Sequence, residues 1–380
     1  MKTIVTIILV KLFSAFCAIN AQEIINGTLH HDSLSRQYIL YIPASYNPAT
    51  PSPLVLSFHG YSSNAHVNFT YTRFNSIADT AGFILIHPQG TLLNEVSHWN
   101  VGGWTLGSTV DDVGFVSTLL DTISNSYNID QERVFCTGMS NGGYMSFLLA
   151  CQLSNRIAAV ASVTGSMTPQ TYNNCNPQHP TPVLQIHGTA DGTVPYNGDT
   201  TWTKSIDDVL QYWVNFNNCN SIPTVSKVPD INTTDGSTVD YIVYSEGNNC
   251  VTTEHFKVFN GDHDWPGVWG NMDIDASVEV WKFFSKYNIN GLIGCGTSTI
   301  NDNAIERKEI RIFPNPASES ITVITDVSEG MEYYIYSSSG VQVLSGMVDN
   351  NNKTIDISEL DPGIFFLRFN TQTIKLIKAE

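Results

Sequence analysis

The chain is 380 residues long, 42% hydrophobic and 14% charged. That composition suits a globular protein with room for one large domain and a smaller one, and excludes a disordered chain. A formal net charge of −17 disfavours a nucleic-acid partner, because binding a phosphate backbone relies on lysine and arginine displacing counterions.

Residues 1–21 read as a secretory signal peptide, with a lysine, an apolar core and small residues near Ala18 and Ala21, and cleavage is expected after Ala21. Lys11 interrupts an apolar run already too short for a bilayer span, and bulky Phe16 argues against a lipid on Cys17. No later segment reads as membrane-spanning.

EIINGTLHHD and RQYILYIPASY then alternate as antiparallel strands do. PLVLSFHG, GFILIHPQG, RVFCTGMS, IAAVASVTG and TPVLQIHGTAD follow as continuous apolar runs ending in glycine, histidine, serine or aspartate, the pattern of parallel strands buried on both faces. Helical periodicity fills the gaps, as in VGFVSTLLDTISNSY. This order predicts an α/β domain over residues 22–296 with a central, mostly parallel sheet. Ligands of such sheets sit at the carboxyl ends of the strands.

Residues suited to catalysis fall at those ends. Gly138-Met139-Ser140-Asn141-Gly142 fits G-x-S-x-G between an apolar strand and the helical GGYMSFLLACQLS, and its glycines would let the chain turn sharply and expose the serine hydroxyl. A serine nucleophile needs a base, and the base an orienting acid, in the chain order serine, acid, histidine. Asp191, directly after a buried strand, is the expected acid, and His263, after HFKVF, the expected base. A turn-capping aspartate and a surface histidine are the alternatives, while His187 precedes the acid and reads as a buried strand-end histidine. Two backbone N–H groups would hold an oxyanion, those of Asn141 and of Tyr61 after His59-Gly60. Trp99, Trp104 and Trp265 are candidate substrate-binding faces, Trp265 foremost because it follows His263 so closely. Asp111 and Asp112 read as helix caps.

SFHGYSSNA, AGFILIHPQG, VDDVGF, DQERVFCTGMSNGGYMS, HGTADGTVPY and HDWPG, in this order, resemble the secreted feruloyl esterase and polyhydroxybutyrate depolymerase-like branch of the α/β-hydrolases, over approximately residues 24–290. The resemblance implies an α/β-hydrolase fold and ester hydrolysis through an acyl-enzyme at Ser140, Asp191 and His263, with no metal and no organic cofactor. Feruloyl or acetyl esters on plant cell-wall polysaccharide are the expected substrates. Tyr61 stands where relatives often carry cysteine, and Asp264 in a loop that often reads HTWPG. A polyester depolymerase is the competing enzyme. A noncatalytic carbohydrate-binding protein is the competing class, and the intact serine, acid and histidine set speaks against it.

Beyond Cys17 the sequence holds an even number of cysteines, which in an exported chain favours disulfides. Cys151 with Cys175 and Cys219 with Cys250 are the expected pairs, each worth on the order of 3 kcal/mol. Cys136, in mid-strand, is expected as a buried thiol, and Cys295 has no evident partner. The close paired spacing of a zinc site is lacking.

After a polar linker, 297–305, residues 306–380 alternate in short runs broken by glycine, asparagine and proline, as a small all-β sandwich does. Phe313-Pro314-Asn315-Pro316, Ser339-Gly340, Leu360 with Pro362-Gly363 and the closing IKLIKA are similar to the C-terminal sorting domain read by the type nine secretion system of Bacteroidota. The likeness implies secretion machinery as a partner and a secreted or cell-surface location. A carbohydrate-binding module is the alternative.

Overall fold

The computed structural model describes residues 22–295, 310–324, 330–337, 342–349, 353–369 and 372–379. The expected signal peptide, the linker and Ser339-Gly340 lie outside them. The chain divides into two compact units, Met1–Thr297 and Ser298–Glu380.

In the first unit one sheet is built from β1 (Glu23–His31), β2 (Leu34–Ile42), β3 (Ser52–Phe58), β4 (Ile84–Pro88), β5 (Ile129–Met139), β6 (Ala159–Val163), β7 (Val183–Gly188), β8 (Thr224–Lys227), β9 (Thr238–Tyr244) and β10 (Thr253–Phe259). Their spatial order is β1-β2-β4-β3-β5-β6-β7-β10-β9-β8. From β4 across to β10 every neighbouring pair is parallel, and the flanking pairs are antiparallel. The inner strands are unbroken apolar runs because both of their faces are covered. Leu54, Leu56 and Phe58 of β3 and Val134 and Cys136 of β5 enter one core, while Val55 and Phe135 enter the other.

Among the described residues seven α-helices surround the sheet, α1 (Ala65–Thr72), α2 (Phe74–Ala81), α3 (Asp112–Ser126), α4 (Asn141–Gln152), α5 (Pro169–Asn174), α6 (Ile206–Phe216) and α7 (Ala276–Phe284). Side chains of α3, α4 and α6 fill the first core, and those of α2 and α7 the second. On α6 the buried Ile206, Val209, Leu210, Trp213 and Val214 recur at helical spacing behind the cap Ser205. Asp111 caps α3 as expected, its carboxylate accepting the Gly114 N–H at 2.8 Å. Asp112 does something else. It is buried against Arg36 at 2.6 Å and accepts the Asn100 N–H at 2.8 Å, so a paired internal charge holds the loop that carries Trp99.

The second unit has a three-stranded sheet (Arg311–Phe313, Ser320–Ile324, Thr354–Asp356) and a four-stranded one (Met331–Ser337, Gln342–Val348, Gly363–Phe369, Gln372–Lys378). Ile321, Val323, Ile335, Leu367 and Leu376 meet in their common core, as alternation predicts. Among the described residues no helix is long and apolar enough to cross a membrane.

One expected disulfide forms and the other does not. Cys151 pairs with Cys175, tying the end of α4 to the end of α5. Cys250 pairs with Cys295 rather than Cys219. Asn249 and Cys250 sit in a left-handed turn that packs against Gly291 of the Tyr287–Leu292 hairpin, which delivers Cys295 to it. Cys219 is left as a half-buried thiol, and Cys136 as a buried one. The loops closed span 24 and 45 residues, worth about 3.5 and 4 kcal/mol in the chain-entropy account. Alkylation of the native protein is expected to label Cys219, and denaturation without reductant to add Cys136 alone. Peptide mapping that found Cys219 joined to Cys250 would overturn the pairing.

Burial also sets the response to acid. It lowers the pKa of His59 to about 4 and those of His87 and His255 to about 3, whereas in an unfolded chain histidine titrates near ~6.5. Between those values the unfolded chain binds more protons, so stability is lost as pH falls from roughly 6.5 towards 4. Urea unfolding of the first unit should lose stability at close to 4 kcal/mol per pH unit, roughly, around pH 5. A flat profile across that window would contradict the buried, neutral state of these imidazoles.

Candidate active site

Between β5 and α4 a single residue makes the turn. Ser140 has φ 55° and ψ −121°, a conformation that costs an L-residue about 1–3 kcal/mol. Its N–H donates to the Val163 carbonyl of β6 at 2.8 Å, which holds the strained turn to the sheet. The two glycines of the motif are explained by contact. A Cβ at 138 would lie 2.6 Å from the Phe58 and Gly142 backbones, and one at 142 would lie 2.1 Å from the Phe58 carbonyl oxygen. Ser140 is partly exposed, and its hydroxyl does not cap α4.

Two further strand-end loops bring Asp191 and His263 together. His263 Nδ1 lies 2.8 Å from Asp191 Oδ2. The other oxygen, Oδ1, accepts the N–H groups of Thr193 at 2.9 Å and Val194 at 2.7 Å. His187 comes from the end of β7, its Nε2 3.3 Å from Asp191 Oδ2. The Gln185 amide donates to His187 Nδ1 at 3.0 Å, which puts the His187 proton on Nε2, directed at the Val194 carbonyl at 2.9 Å with Asp191 Oδ2 farther off at 3.3 Å. Burial alone would raise the Asp191 pKa, but the imidazoles of His187 and His263 beside the carboxylate outweigh it and hold the carboxyl well below the usual range. Asp262 stitches the two loops, its Oδ1 accepting the N–H of His263 at 2.8 Å and of Gly192 at 3.2 Å. Sequence reading assigned neither His187 nor Asp262 a part here, although the i, i+4 spacing of His187 and Asp191 was there to see.

Ser140, Asp191 and His263 thus follow β5, β7 and β10 at the carboxyl edge of the parallel strands. The loop after β3 lies against the serine turn, with a Cβ on Gly60 only 3.5 Å from Ser140 Cβ. Among the described residues neither the Tyr61 nor the Asn141 N–H has a hydrogen-bond partner. Two unpaired donors beside one exposed hydroxyl suit the binding of a developing negative charge. Elsewhere His31, Asp32 and Asp111 bring three potential metal-ligand atoms within 4.8 Å of one another, yet His31 is already satisfied by Thr118 and Asp111.

Residues 36–175 match the family described as esterase PHB depolymerase, and residues 311–379 match the secretion system C-terminal sorting domain. A bifunctional acetylxylan esterase/xylanase of Neocallimastix patriciarum is 27% identical over 70% of this chain, though the match spans only 36% of that protein. Feruloyl esterase D of Neurospora crassa is 28% identical over 69% of this chain and 85% of its own length. An acetyl xylan esterase from Aspergillus awamori superposes with a TM-score of 0.51 at 13% identity, over 70% of this chain and 98% of its own, which supports the same fold. In its first unit the chain has the α/β-hydrolase fold, and it is similar there to carboxylic ester hydrolases of that fold. Its sorting domain makes it a secreted or cell-surface member that engages secretion machinery.

For this ester hydrolase the substrate-facing tryptophans need correcting. Trp265 is fully buried, its indole donating to Ser277 Oγ at 3.1 Å and packing edge-on against Tyr71 and Phe74. It faces away from solvent into the second core, so nearness to His263 in the chain did not place it in a pocket. Trp99 is fully buried too, with its indole on the His59 carbonyl at 3.0 Å. Trp104 alone of the three is half-exposed. It meets Tyr61, Tyr144 and Trp202 with ring centroids 6.4, 4.9 and 5.2 Å away, and Tyr144 begins the hydrogen-bonded turn from Ser140. Trp202, which the sequence did not single out, joins Tyr61, Trp104 and Tyr144 in an aromatic wall. Trp265→Phe is expected to lower stability by about 1 kcal/mol for the lost hydrogen bond and to leave turnover of p-nitrophenyl acetate per folded molecule unchanged. A selective loss of turnover with unaltered stability would return Trp265 to the substrate site.

Proposed function

We propose that the first unit, residues 22–296, is a serine esterase that works through an acyl-enzyme. The observation that carries this reading is the strained, exposed Ser140 on the same sheet edge as the Asp191–His263 pair. Asp191 orients His263, whose Nε2 takes the Ser140 proton as Oγ attacks the ester carbonyl. The N–H groups of Tyr61 and Asn141 hold the oxyanion, and His263 returns the proton to the departing alcohol. Water, activated by the same imidazole, then releases the acid and restores Ser140. Residues 306–380 serve export.

Feruloyl or acetyl esters on plant cell-wall polysaccharide are the substrates this reading favours. The relatives named above are feruloyl and acetylxylan esterases, and Tyr61, Trp104 and Trp202 offer ring faces and edges for a planar acyl group. One observation favours a polyester instead. Leu92 and Leu106 are 68% and 65% exposed on segments neighbouring this wall, as Gly107 lies close to Leu93, and the matched family is described as a polyhydroxybutyrate-type depolymerase.

Purified enzyme should turn over methyl ferulate or acetylated xylan faster than it clears a polyhydroxybutyrate film. Ser140→Ala should abolish turnover while leaving folding intact, since loss of one member of such a set costs on the order of a millionfold. Trp104→Ala should depress turnover of methyl ferulate about tenfold more than that of an acetyl ester, if ring contact contributes about 1.4 kcal/mol. Substantial residual activity in the serine variant would sink the assignment, and rapid film clearing would install the polyester reading.

A further inference from the structure

Asn141 does more than offer its backbone N–H. Its side-chain amide grips the backbone of Trp99 twice, Oδ1 accepting the Trp99 N–H at 2.7 Å and Nδ2 donating to the Trp99 carbonyl at 3.1 Å. Trp99 in turn donates its indole N–H to the His59 carbonyl at 3.0 Å. His59 Nδ1 lies 2.8 Å from the Gly60 carbonyl, and its Nε2 is faced only by donors, the Gly90 N–H at 3.0 Å, the Gln89 amide at 3.3 Å and the Ser97 hydroxyl at 3.4 Å. That arrangement puts the imidazole proton on Nδ1, aimed at the Gly60 oxygen.

The Gly60 carbonyl and the Tyr61 N–H belong to one peptide plane and, in a trans peptide, point in opposite directions. Fixing the carbonyl therefore fixes the direction of the N–H. Asn141, Trp99 and His59 are all fully buried, so water does not compete for these bonds. Burial also keeps the imidazole neutral, with its pKa lowered to about 4.

We propose that the Asn141 side chain, Trp99 and His59 form a hydrogen-bonded relay that sets the direction of the Tyr61 N–H relative to the Asn141 N–H, and so positions the oxyanion hole. This rests on the serine-esterase reading above. His59 and Trp99 are positioning residues in this scheme. They touch no substrate, and their effect appears when the carbonyl oxygen becomes an anion.

The test is steady-state kinetics on methyl ferulate with full-length Trp99→Phe, His59→Leu and His59→Asn, alongside Ser140→Ala and thermal unfolding of each. An oxyanion donor commonly carries 10²–10³ in kcat, so a misdirected one should lower kcat roughly 10- to 100-fold in Trp99→Phe and His59→Leu. KM should stay within about twofold, the mark of an interaction made only in the transition state. His59→Asn keeps a donor close to the place of Nδ1, and should recover much of the kcat lost in His59→Leu. If His59→Leu does not fold, the Trp99→Phe split and the His59→Asn turnover decide the matter. Folded Trp99→Phe with wild-type kcat, or losses carried by KM alone, would overturn the relay and leave the esterase reading standing. Activity surviving in Ser140→Ala would instead remove the reading on which the relay rests.

Discussion

The Phe58 carbonyl at the end of β3 occupies the space that side chains at 138 and 142 would need. Because β3 and β5 are parallel neighbours, that approach brings the loop after β3 and the serine turn after β5 onto one another. The positive φ of Ser140, the exposed hydroxyl and the proximity of Gly60 all depend on it. A methyl group at either glycine would have to move a backbone rather than a flexible side chain, and the neighbouring strands, packed on both faces, leave no room for that.

Strain at the turn is held in place by a few specific polar contacts. Ser140 N–H reaches β6, the Asn141 amide reaches Trp99, and Asp112 with Arg36 steadies the start of the Trp99 loop. Groups of this kind are costly to bury unpaired, and once paired they are hard to rearrange. In the proposed reaction the Tyr61 and Asn141 donors would thus be fixed in the resting protein, and no reorganisation would be required when charge develops.

How much of this was legible depended on whether the signal was local. The apolar runs ending in glycine, serine or aspartate announced parallel strands and their functional edge, and the motif around Ser140 named its own turn. Asp191 and His263, expected from the constraint on chain order in such sheets, do come together as a pair. Trp265 and Trp99 were misread because position along a loop says nothing of which way an indole faces, and both turned inward to partners on Ser277 and His59. Trp202 reaches the wall by tertiary packing alone. The Cys250 partner was hidden for the same reason, since the hairpin that carries Cys295 returns from the far end of the domain.

The second imidazole at Asp191 changes what kind of component the acid is. The Thr193 and Val194 N–H groups would still donate to the carboxylate if His263 turned away, so His263 is one of several groups that favour its ionised form. In the proposed cycle, where His263 would collect a proton from one oxygen and deliver it to another, the carboxylate is a stationary post and the imidazole a swinging gate.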